Sequence, residues 1–122
     1  MSRTLPPCPD SPNCVSSDAA DPAHYIAPIA IRSDPQQAWQ ALIRYLEGDR
    51  AFTILERDGE YLRAEARTRW LRFVDDVDFV LRPERREIAM RSASRVGYSD
   101  LGANRRRLES LRRALGATGR GW

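Results

Sequence analysis

Between Arg91 and Arg107 the chain gathers serine hydroxyls, guanidiniums, two glycines, an Asp and an Asn. These residues span what reads as a strand end, a turn and the start of a helix. The segment Gly97-Tyr98-Ser99-Asp100-Leu101-Gly102 leads into that helix, with Arg95 and Arg105 nearby. Free amides at a helix N-terminus favour an anion. Asp100 competes for the same amides as a cap. The glycines match neither a phosphate loop nor a dinucleotide fingerprint. A second group is Cys8-Pro-Asp-Ser-Pro-Asn-Cys14. These two thiols are packed free cysteines, a disulfide, or two metal ligands with His24 as a third. Zinc sites normally show tighter spacing and four ligands, and a reducing cytoplasm disfavours a lasting disulfide. His24 is the single histidine, so a Ser-His-Asp triad would need a residue from an irregular arm.

The elements that must position these groups follow from periodicity and turn chemistry. Residues 1–24 hold both cysteines and most of the prolines, which predicts an extended, turn-rich arm packed on the domain. Tyr25 to Arg32 alternates as a first strand. Ser33-Asp34-Pro35-Gln36 then places an N-cap, a proline at the first helical position and a capping box. That helix is expected to run to Glu47, stopped by Gly48, with Trp39 in the core. Strands are expected at Ala51–Arg57, Glu60–Arg69, Arg72–Leu81 and Glu87–Val96. Asp58-Gly59 is a hairpin signal. A final helix is expected from Leu101 to Leu115, with Gly116 as its stop and 117–122 as a loose tail.

Alternation along these strands predicts a register. If Arg82 pairs with Glu87, then Leu81 meets Ile88, Phe79 meets Met90, Val77 meets Ser92 and Asp75 meets Ser94. Leu62, Ala64 and Ala66 extend this inner face, and the Asp58-Gly59 turn adds Leu55 and Thr53. Asp75, Ser92 and Ser94 therefore fall on the face that carries the core. A buried carboxylate is costly unless bonded or paired. Either these groups form a satisfied structural network, or they line a concave pocket where Asp75 binds a ligand or acts as acid or base. No partner for Asp75 stands out in the sequence. The opposite face carries Arg63, Glu65, Arg67, Asp76, Asp78, Arg91 and Arg95, with Asp78 opposite Arg91. It reads as a solvated charge ladder or as a protein-interaction surface, covered in part because Phe52, Ile54, Val74 and Val80 share it.

Composition bounds the alternatives. A chain of 122 residues is one domain by default. Its 20 basic residues are all Arg, against 17 acids. The two signs are interleaved, which argues against a nucleic-acid stripe. No apolar run reaches the ~18 residues of a membrane helix. The N-terminus lacks the apolar core of a signal peptide, so the expected compartment is the cytoplasm unless a leader has been removed.

Cys8-Pro-Asp-Ser-Pro-Asn-Cys14-Val-Ser-Ser, Phe73-Val-Asp-Asp-Val and the run from Arg91 to Arg107 resemble the domain-of-unknown-function family fourteen ninety-nine. The resemblance spans about residues 6–116. The family occurs in bacteria and plastid-bearing eukaryotes, and many relatives look exported or membrane-tethered. It implies no cofactor and no reaction. The expectation is thus an α+β domain over residues 25–116. It has an antiparallel sheet of four to five strands and two helices in the order β-α-β-β-β-β-α, similar to a helix-grip fold. The expected role is non-catalytic binding of a small polar or anionic ligand by Asp75, Ser92, Ser94, Arg95, Tyr98 and Asn104. The alternatives are a hydrolase- or cyclase-like enzyme using Asp75, and an interaction module using the charged face.

Overall fold

The structure, a computed structural model, describes residues 3–68, 73–97 and 99–117. Its elements are β1 (Cys14–Ser16), β2 (Ile29–Ala30), α1 (Pro35–Glu47), β3 (Phe52–Asp58), β4 (Tyr61–Arg67), β5 (Val74–Arg82), β6 (Glu87–Ser94) and α2 (Ala103–Ala117). The sheet has six strands in the order β1-β6-β5-β4-β3, and β2 also pairs with β6. All named strand pairs are antiparallel. This is the α+β class expected from the sequence.

Local chemistry sets the element ends. The Asp34 carboxylate accepts from the Gln37 amide at 3.0 Å, and Pro35 opens α1 where no amide partner is needed. Ala38, Trp39, Leu42, Ile43 and Leu46 form the buried stripe of that helix. Gly59 takes a positive φ of 44° in the β3–β4 turn, which glycine adopts without a Cβ clash. The tail of the chain differs from expectation: α2 starts two residues later than predicted and continues through Gly116 to Ala117. The expected strand at Tyr25–Arg32 shrinks to Ile29–Ala30, with only an isolated bridge between Tyr25 and Ser16. Pro28, which has no amide to donate, interrupts it. The expected ends at Arg69 and Arg72, and the tail beyond residue 117, lie outside the described residues.

The predicted β5–β6 register is the one observed, from Arg82 opposite Glu87 to Asp75 opposite Ser94. In β4, Leu62, Ala64 and Ala66 meet Phe79, Val77 and Asp75. β3 departs from the prediction. Ile54 pairs with Ala64 and Glu56 with Arg63, so Leu55 is an extra residue in the strand. One inserted residue turns every side chain before it to the other face. Phe52 and Ile54 consequently pack on the core. Thr53 is exposed and Leu55 stays 43% exposed.

Both helices lie on the inner face. α1 packs on β3 and β5, α2 packs on β6 and β1, and the helices touch each other. Trp39, Leu42 and Leu46 of α1 join Leu108, Leu111 and Leu115 of α2 over Leu62, Val77, Phe79, Leu81, Ile88 and Met90. The N-terminal residues supply strand β1, whose Val15 is buried opposite Ser92. Cys8 and Cys14 are joined by a disulfide. Segment 23–28 has few strand partners, and arginines of α2 serve its carbonyls. Arg105 donates to Ala23 and Tyr25, and Arg112 to Ala27 and Pro28.

Replacing Asp34 by Ala should remove the cap of α1 and cost about 1 kcal/mol. Urea unfolding of D34A against wild type checks this. An unchanged midpoint would mean that the cap bond contributes nothing.

Candidate functional site

The inner-face polar residues meet at α2. Asp75 is 3% exposed and forms an ion pair with Arg107 at 2.8 Å. Arg107 also donates to Asn104 Oδ1 at 2.7 Å and Ser92 Oγ at 3.1 Å. The Ser92 hydroxyl donates to the same Asn104 oxygen at 2.6 Å. Asn104 Nδ2 shares its two hydrogens among the Asn13 carbonyl, Ser94 Oγ and Asp100 Oδ2, at 3.1, 3.0 and 2.7 Å. Asn13 closes the ring by donating to the Gly97 carbonyl at 2.8 Å, while its own carbonyl accepts the Ser94 amide. Asp75, Ser92, Ser94 and Asn104 therefore belong to one closed network. Its other members are Asp100, expected from the sequence as the helix cap, and Arg107 and Asn13, which sequence reasoning missed. Arg107 hid in the run Arg105-Arg106-Arg107. Its position three residues beyond Asn104, beside the stripe Leu108-Leu111-Leu115, was the available signal.

The other predicted residues lie elsewhere. Arg95 sits on the opposite face, where it holds Asp76 through two nitrogens and Glu65 at 2.6 Å. Those two carboxylates, Asp76 first, push its pKa up. Tyr98 lies outside the described residues. The expected anion site at the α2 N-terminus is filled from within. Asp100 accepts the Gly102 amide at 2.7 Å and the Asn104 amide at 3.0 Å. Burial acts to raise the Asp100 pKa, but the amide bonds outweigh it and the net shift is downward.

The charge ladder expected on the outer face is not open to solvent throughout. Asp78 is opposite Arg91 in register, yet it is 3% exposed and accepts from the Tyr61 hydroxyl at 2.5 Å. Burial, then the hydrogen bond from Tyr61 to Asp78, raises the Tyr61 pKa. Residues 3–8 account for this cover. Arg3 stacks on the Tyr61 ring at 3.7 Å, and Leu5 packs with Tyr61, Val80 and Ala89.

Beside this arm runs a groove of about 1060 Å³. It is lined by Leu5, Pro6, Pro7 and Cys8 of the arm and by Ala19, Ala20, Asp21 and His24. Arg82, Glu84 and Arg85 line it too, and Asp10 and Asp18 add carboxylates. Arg82 is buried and grips both Asp18 oxygens at 2.8 Å. That hydrogen-bonded pairing lowers the Asp18 pKa against the effect of burial. His24 is 9% exposed, with Nε2 2.9 Å from the Ser11 carbonyl and Nδ1 2.9 Å from Asp21. Acceptors at both ring nitrogens favour the imidazolium. The Ser11 carbonyl, and then Asp21, raise its pKa although burial opposes them. Among the described residues no cluster of His, Cys, Asp and Glu is arranged to hold a metal. Nor is any helix long and apolar enough to cross a membrane.

These features define a class: a small α+β domain with a curled-back N-terminal arm on one sheet face and two helices on the other. The chain matches the family described as "Protein of unknown function (DUF1499)" over residues 4–115, and it belongs to that family. No curated protein and no solved structure matches it.

Asp75→Asn should leave Arg107 buried beside a neutral partner and cost about 3–5 kcal/mol, read by chemical denaturation. A loss below about 1 kcal/mol would remove the network from the list of stabilising features. His24 gives a pH signature. Its folded pKa is raised, so its stabilisation is complete below pH 6.5, its ordinary value, and is lost as pH rises through the folded value. The urea midpoint of wild type minus that of His24→Gln should shrink from pH 6 to pH 8. A difference that grows over that range refutes the imidazolium assignment.

Proposed function

We propose that this is a non-catalytic binding domain, and that its ligand is a small polar molecule carrying both an amino and a carboxylate group. One observation carries the reading. Along the groove, Asp10 and Arg85 form no side-chain hydrogen bond or close ion pair among the described residues and act only through space, Asp10 on His24 and Arg85 on Asp18, whereas Asp18, Asp21, His24 and Arg82 are all hydrogen-bonded. The groove thus offers one carboxylate and one guanidinium whose hydrogen-bonding atoms are open to a ligand, beside the apolar residues Leu5, Pro6 and Pro7. Guanidinium forks suit carboxylates, and a concave site with a few convergent polar groups is the default ligand site.

The same reading treats the Asp75 network as an internal tie. Its carboxylate is committed to Arg107 beneath α2, which counts against use as a general acid or base. The interaction-surface alternative loses support because Asp78 is bonded to Tyr61 and Arg91 donates to the Pro7 carbonyl. The Cys8–Cys14 bond favours an oxidising compartment over the cytoplasm expected from the sequence.

The test is titration of the ¹⁵N-labelled protein with free amino acids and dipeptides, followed by NMR. Saturable shifts at residues lining the groove are expected, with Arg85→Ala and Asp10→Ala each weakening binding by about fivefold or more, or ~1 kcal/mol. No saturable shift at the groove from any amino acid or dipeptide would sink the proposal.

A further inference from the structure

We propose that the Cys8–Cys14 bond and the positive charge of His24 stabilise each other, so that the redox state of the ring sets the charge on the groove wall. The coupling does not require the groove to bind a ligand.

The contact that joins them is the hydrogen bond from His24 Nε2 to the Ser11 carbonyl, at 2.9 Å. Its two ends are held by different means. On the imidazole side, the His24 carbonyl accepts the Ser16 amide of β1 at 2.8 Å, and Asp21 accepts from Nδ1 at 2.9 Å. Neither of these bonds involves the ring. On the other side, Ser11 is the middle residue of the disulfide ring, three residues from each cysteine. Residues 9–12 form no backbone–backbone hydrogen bond among the described residues. Ser11 is otherwise held by its hydroxyl, which donates to Asn13 Oδ1 at 2.7 Å. Closing the ring removes much of the freedom that would carry the carbonyl away from Nε2.

A neutral imidazole has one N–H and cannot donate to the Ser11 carbonyl and the Asp21 carboxylate together. The imidazolium satisfies both, so a fixed carbonyl favours the charged form. Two carboxylates act on it: Asp21 from its own turn, and Asp10 from the disulfide ring, through space. Asp18, Arg82, Glu84 and Arg85 share the groove, with Arg82 tied to Asp18. Opening the ring loosens Ser11 and Asp10 together, and so weakens two of the interactions that hold the proton. The coupling is reciprocal. Whatever factor the closed ring adds to proton binding, the proton adds to ring closure.

Cys8 is half-buried and lines the groove, whereas Cys14 is fully buried, so an external thiol meets the bond at Cys8. A first thiol forms a mixed disulfide with Cys8 and releases the Cys14 sulfur. A second thiol frees Cys8 and leaves as the oxidised small disulfide. Below the thiol pKa values this exchange takes up no net proton, so its equilibrium is flat with pH unless another group is coupled to it.

The test uses the full chain in glutathione buffers. The His24 pKa, read by NMR, should be lower in the reduced than in the oxidised protein by about half a pH unit or more. The equilibrium constant for reduction should rise about twofold or more from pH 5.5 to 7.5, and should stay flat in His24→Gln. An equal or higher His24 pKa in the reduced protein overturns the proposal, and so does a wild-type pH slope that H24Q reproduces. A reduced chain that unfolds also overturns it, because the ring would then hold the whole fold rather than one charge. If H24Q does not fold, the NMR titration of the two wild-type states decides alone.

Discussion

A carboxylate and two hydroxyls on the core face of a sheet must be satisfied there, and the rest of the fold is arranged around that need. Asp75, Ser92 and Ser94 lie on the face that α2 covers. Water cannot serve them at low cost, so α2 brings a cation and an amide at the right turn of helix. Arg107 neutralises Asp75, and Asn104 bridges Ser92, Ser94, Asp100 and the Asn13 carbonyl. The network therefore does more than lower a penalty. Each bond fixes a different segment: β5, β6, the loop before α2, and the start of β1. A polar core of this kind specifies one docking of the helix, since a shift by one turn would strand the carboxylate.

The register of the hairpins was legible because period-two alternation and the chemistry of two turns agreed from Glu60 to Ser94. The bulge at Leu55 was not. Leu55 and Ile54 are both strand-forming apolar residues, so either fits the core, and nothing in the turn marks the insertion. Asp75 was legible as an anomaly on the core face, but its partner was not. An ion pair between residues 32 positions apart, 75 and 107, is set by how a helix docks on a sheet. The placement of Arg95 follows similar logic. Its sequence neighbours Ser92 and Ser94 face the core, yet it lies past the end of β6 and turns to Asp76 and Glu65. Proximity in sequence grouped residues that the sheet separates.

The exclusive use of Arg has a structural consequence. Backbone carbonyls in irregular chain must find donors, and this protein has much irregular chain before α1. Arg82, Arg86, Arg91, Arg105 and Arg112 donate to the carbonyls of Arg3, Ser33, Pro7, Ala23 or Tyr25, and Ala27 or Pro28. A guanidinium can serve two acceptors in fixed directions: Arg105 and Arg112 each reach two carbonyls, and Arg112 and Arg82 serve carbonyls while also pairing with an acid. A lysine ammonium has no such planar fork. The N-terminal third of the molecule is thus held less by its own secondary structure than by arginines projecting from the sheet and α2.

The start of β1 is where the two faces are clamped together. Asn13 points into the inner network, where it bonds the Gly97 carbonyl and offers its own carbonyl to Asn104. Its neighbour Cys14 sits opposite Ala93 on the outer face and carries the disulfide to Cys8. Consecutive residues in a strand point to opposite faces, so one dipeptide ties the core to the arm. Any motion of the arm must then begin on the N-terminal side of Cys8, because the ring behind it is closed covalently and anchored through Asn13. Arg3 and Leu5 precede the closed ring and reach the outer face, whereas the Asp75 network lies beneath α2 on the inner one.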